Sequence, residues 1–99
     1  MEVTLEMVKT AYEKTGLKPT RYHLICDGSA CLIGALAISE GVTVSHEIYK
    51  WAWERFGISY ADGLISGFDG HIFESEILPG RFLQGYLHGK EIAKAIFND

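Results

Sequence analysis

Apolar positions recur at helical spacing over most of this chain. Leu5, Val8, Ala11 and Tyr12 lie three and four apart, which predicts an amphipathic helix over about 4–15. Thr4 or Val3 leads it, Glu6 sits in its first turn, and Gly16 stops it. The stretch from Ala30 to about Glu40 is apolar nearly all round, the mark of a central, buried helix. Ser29 is its expected N-cap and Gly41 its stop. A third helix is expected from a Ser45 cap to Gly57, with Ile48, Trp51, Ala52 and Arg55 in one stripe and Tyr49, Trp53 and Phe56 in a second. A fourth starts at Ser59 and ends at Asp69-Gly70. A fifth opens at Pro79-Gly80 and continues through Ile92, Ala93, Ile96 and Phe97.

Between these helices the period changes. Tyr22, Leu24 and Cys26 alternate with Arg21, His23 and Ile25, as in a short strand, and Asp27-Gly28 is a turn signal. Residues 71–75 form a second candidate strand, expected to pair with 21–26 as a two-stranded ribbon. The fold class expected is therefore mostly α: a single globular domain over 1–99, a compact bundle of about five helices with helix 2 at its centre, and room for that short β ribbon.

One spacing occurs twice. Tyr60-Ala61-Asp62-Gly63-Leu64-Ile65-Ser66-Gly67 and Phe82-Leu83-Gln84-Gly85-Tyr86-Leu87-His88-Gly89 both read aromatic, two residues, Gly, two apolar, one polar, Gly. Glycines four apart share a helix face. Each costs about 0.5–1 kcal/mol relative to alanine inside a helix, so something must offset the cost. Close backbone approach is the expected offset, the two Gly faces meeting each other or a partner, with Gly63, Gly67, Gly85 and Gly89 as packing positions between helices 4 and 5.

Charge narrows the partners. The net charge of -4 and the scattered lysines and arginines lack the basic footprint of a nucleic-acid binder. The first residues have neither a basic region nor an apolar stretch of signal-peptide type, and no apolar run is long enough for a membrane span. A cytoplasmic setting is expected, with neither nucleic acid nor membrane as partner. Two cysteines are too few for a disulfide scaffold.

Candidate chemistry is sparse. With Ser29 as N-cap, Cys31 would take the second helical position, where free N–H groups favour a thiolate. His23 or His46 would be its base and Asp27 the orienting acid. The competing reading makes Cys31 a small buried hydrophobe at the head of an apolar helix, and it carries more weight. His23, Cys26 and Cys31 offer zinc-type ligands, with His46 or His71 as a fourth, but in no standard knuckle spacing. Asp69, Glu74 and Glu76 lack the alternation of a calcium loop. No phosphate loop, dinucleotide fingerprint or nucleophile elbow is present, so no catalytic residue, metal or cofactor is assigned.

Helix 3 holds more aromatic surface than one core face can hide. Trp51 and Trp53 project about 200° apart, so one of them faces solvent unless the helix is sandwiched. Tyr49 and Trp53, four apart, would then form an anchor for a partner. The stretch Cys31-Leu32-Ile33-Gly34-Ala35-Leu36-Ala37, followed by the Trp-bearing helix and Gly67-Phe68-Asp69-Gly70, resembles small uncharacterised bacterial proteins in which a Cys-x-x-Gly-Ala-Leu helix recurs. That resemblance implies a bacterial or phage origin and supplies no site residue. The expected function is a non-catalytic protein-interaction module that uses the exposed aromatics of helix 3 or a Gly face, its partner being another protein or a second copy of the chain. The alternative is a thiol-dependent or ligand-binding protein centred on Cys31, His23 and Asp27.

Overall fold

The computed structural model describes residues 2–72 and 80–98. It is mostly helical, in the order α1 (Leu5–Thr15), β1 (Lys18–Pro19), β2 (Ile25–Cys26), β3 (Ser29–Ala30), α2 (Leu32–Ser39), α3 (Ser45–Phe56), α4 (Ile58–Phe68) and α5 (Gly80–Phe97). No helix among the described residues is long and apolar enough to cross a membrane.

The first helix begins where Thr4 accepts a hydrogen bond from the Met7 N–H at 3.2 Å, and it ends at Gly16 in the left-handed region. Helix α2 is the core. Leu32, Ile33, Ala35, Leu36 and Ala37 are all buried, against Val8 and Ala11 of α1, Ile48 and Ala52 of α3 and Leu64 and Phe68 of α4. Gly34 is a requirement of that position, because a Cβ there would be driven into the backbone carbonyl of Leu24.

The small sheet differs from the expected ribbon. Strand β3 lies between β1, to which it is parallel, and β2, to which it is antiparallel. Asp27 and Gly28 both have positive φ, 43° and 82°, as a two-residue type I′ hairpin demands. Cys26 and Ser29 are paired across it. Strand pairing thus stays within 18–30. His71 and Ile72 are not in a strand, and the remaining residues of the expected partner, 73–75, lie outside the described residues. Ser29 is consumed by the sheet, so the N-cap of α2 moves to Cys31. Two other boundaries shift by one residue. Ser45 is the first residue of α3, and α4 begins at Ile58 because Gly57, at φ 90°, both ends α3 and leads α4.

Helices α4 and α5 meet backbone to backbone. A Cβ at Gly63 would lie 2.8 Å from the Tyr86 nitrogen, and one at Gly67 would lie 2.9 Å from that of Lys90. Reciprocally, a Cβ at Gly85 would lie 2.9 Å from the Leu64 nitrogen, and one at Gly89 the same distance from that of Phe68. Each would also enter a carbonyl oxygen of the facing helix, those of Phe82, Tyr86, Tyr60 and Leu64 in turn. The facing residues advance together along both helices, so the pair is parallel. A constant offset of 22 residues relates them, and each helix presents the same surface to the other.

Candidate functional site

The outer face of α3 carries two neighbouring exposed aromatic rings. Its inner face is Ile48, Ala52 and Phe56, all buried at helical spacing. Tyr49 and Trp53 therefore turn outward, each 39% exposed, with ring centroids 6.0 Å apart. The Trp53 indole Nε1–H donates to Asp62 Oδ1 of α4 at 3.0 Å, which fixes the ring across the α3–α4 corner. Ile58, one turn before Asp62 on α4, is 60% exposed. Trp51 takes the opposite course. It packs against the core with its ring edge-on to Phe56 at 5.6 Å, under the Arg55 guanidinium, which pairs with Glu40 at 3.3 Å. The two tryptophans thus divide between core and surface.

The thiol candidates stand differently. Cys31 is 2% exposed, and burial pushes its thiol up to about 11. The N–H groups of Gly34 and Ile33 act against that shift without reversing it. His23 is exposed and meets Cys31 through its backbone, its carbonyl accepting the Cys31 N–H at 3.0 Å. Asp27 and Cys26 are exposed at the hairpin. The requirements of a thiol nucleophile, exposure and a lowered pKa, are not met at Cys31. Among the described residues no three His, Cys, Asp or Glu side chains converge as a metal-binding group.

Two polar links lie outside the pattern of the sequence. Asp69, which reads there as a helix-stop residue, is buried, and its Oδ1 accepts the N–H of Tyr22 at 3.0 Å. Tyr22 has φ 71°, a left-handed conformation uncommon for a non-glycine residue. Burial raises the Asp69 carboxyl above its ordinary range, opposed by the Tyr22 N–H and by His71, Arg21 and His23. Arg21 Nε donates to the Phe68 carbonyl at 3.1 Å, and its guanidinium lies 4.3 Å from the Phe97 ring centroid. A cleft of about 570 Å³ opens beside this link, between Arg21 and the Leu87, Lys90 and Lys94 edge of α5. The second link is at Tyr60, buried at 1% exposure. Its oxygen accepts the Val3 N–H at 3.1 Å and shares a 2.7 Å bond with His88 Nδ1, and His88 Nε2 lies 3.6 Å from Glu2. Neither link has a local signal, because each joins residues more than 25 positions apart.

No protein-family model matches the chain, and no curated protein or solved structure matches it.

Proposed function

We propose that the chain is a non-catalytic interaction module of the cytoplasm that docks a protein partner on the face formed by Tyr49, Trp53, Ile58 and Asp62. The observation that carries this reading is the Tyr49–Trp53 pair. Two large rings stay 39% exposed on a well-packed helix, and one is anchored by a hydrogen bond to a neighbouring helix. Rigid aromatic anchors are the residues that dominate protein interfaces. The glycine faces of α4 and α5 are occupied by each other, so they offer no free surface for association. A second copy of the chain is a partner only if it uses the aromatic face.

The test is affinity capture from the source cells with the full chain as bait. Wild type and a Leu87→Ala control, altered at an exposed apolar residue on α5, are expected to retain the same partner protein. A Tyr49→Ala/Trp53→Ala double variant with unchanged circular dichroism is expected to lose it. Equal retention by all three baits would overturn the assignment of this face. Light scattering of the purified chain over a range of concentrations shows whether the partner is a second copy.

A further inference from the structure

We infer that the partner presents an arginine to this face, its guanidinium laid on the Trp53 ring and paired with the Asp62 carboxylate. The inference rests on the reading of Tyr49, Trp53, Ile58 and Asp62 as a docking surface.

Four observations carry it. The first is the position of Asp62. Its Oδ1 accepts the Trp53 indole N–H at 3.0 Å, so a carboxylate stands at the edge of an exposed indole. A carboxylate has about four acceptor positions, and one neutral donor leaves capacity for more. The second is that Asp62 is in no ion pair among the described residues. The described pairs are Arg55 with Glu40 and His88 with Glu2, and Asp62 is in neither. The third is the ring surface itself. Trp53 is 39% exposed with Tyr49 beside it, and indole faces attract cations most strongly among the aromatic side chains. The fourth is local charge. On α3 the exposed Lys50 and Glu54, of opposite sign, lie within one turn of Trp53, and Asp62 adds a negative charge at the ring edge, in a chain of net charge -4.

Arginine fits these four better than lysine does. Its planar guanidinium can lie flat on a ring while its N–H groups reach sideways to a carboxylate, and it is the more weakly hydrated cation. Ile58, 60% exposed on the same face of α4 as Asp62, would take an apolar neighbour of that arginine.

The experiment follows the Trp53 indole N–H signal in a proton–nitrogen NMR spectrum, assigned by its loss in Trp53→Phe. The probe is the capped peptide acetyl-Gly-Phe-Arg-Leu-Gly-amide. It is compared with the same peptide carrying citrulline, which keeps the shape of arginine without its charge. The expected result is a saturable shift with the arginine peptide, roughly tenfold weaker with citrulline, since a charge-assisted bond is lost. Asp62→Asn keeps an oxygen for the indole and removes the charge. It is expected to bring the arginine peptide down to the citrulline level. Equal binding of both peptides overturns the arginine inference while leaving the docking face in place. No shift with either peptide overturns the inference as well, and the capture experiment with the Tyr49→Ala/Trp53→Ala bait then decides on the face independently.

Discussion

The seam between α4 and α5 and the outer face of α3 use opposite materials. At the seam four glycines, two on each helix, let main chain touch main chain. On the outer face of α3 the positions are tyrosine and tryptophan, the largest side chains available, and a good part of each stays in solvent. Both choices work against local preference. Glycine weakens a helix, and an exposed indole loses the benefit of burial. The seam recovers its cost inside the molecule, through closer packing than any side chain allows. The face recovers part of its cost through the covered share of each ring, one hydrogen bond and one ring contact, and leaves each of the two residues 39% exposed. A cost met within the fold belongs to structure, and the ring surface left in solvent is what the proposed docking face draws on.

The seam offers the most severe way to break this comparison. On an exposed helix Gly→Ala stabilises by about 0.5–1 kcal/mol. At Gly85 the sign is expected to reverse, with a loss of about 3 kcal/mol or more in denaturant unfolding, because the new methyl meets unyielding main chain. Gly67→Leu and Gly89→Leu are expected not to fold. An unchanged melting temperature in both would dismantle the close-packed seam.

A smaller effect is expected at Cys31. Below about pH 9 its thiol is neutral in the folded and unfolded chains alike. Above that the unfolded thiol ionises first, while the folded one waits until about 11, so stability falls across this window by up to about 3 kcal/mol. The checking measurement is the slope of unfolding free energy against pH, compared with that of Cys31→Ala. In the same protein a thiol reagent at neutral pH is expected to modify exposed Cys26 promptly and Cys31 only on unfolding.

Tyr60→Phe leaves the buried Val3 N–H without its acceptor and removes the His88 contact, at an expected cost of about 1–3 kcal/mol in urea melts. Trp53→Ala sharpens the comparison from the other side. It is expected to cost about 1–2 kcal/mol, less than Gly85→Ala, since the ring gives up one hydrogen bond and the part of its surface that is covered. A loss as large as that of Gly85→Ala would make Trp53 a structural residue and remove the argument for a docking face.

Helix positions were legible because their signals are local. Thr4 and Gly16 bracket α1, Asp27-Gly28 specifies a hairpin, and the glycine spacing marks the faces of α4 and α5. What was not legible is long-range or two residues long. Strands of two residues have no alternation to read, so the 21–26 pattern marks only the strand that ends at Ile25–Cys26, while Lys18–Pro19 reads as a connector and Ser29 as a helix cap. The parallel sense of α4 and α5 cannot be read from spacing, because a repeated glycine face serves either orientation. Of the candidate site, the i, i+4 placement of Tyr49 and Trp53 was readable. The Asp62 anchor was not, since it depends on how α3 and α4 turn about Gly57.

The glycine seam also changes where the entropy of folding falls. A conventional helix interface freezes the rotamers of the leucines and methionines that fill it. Here the interface holds few torsions to freeze, because at its centre stand four residues with no side chain. The ordering cost moves into the backbone of the unfolded chain, where glycine roams more widely than any other residue. The closest main-chain contact between α4 and α5 is thus assembled from the loosest monomers, and its four glycines have no rotamers to exchange.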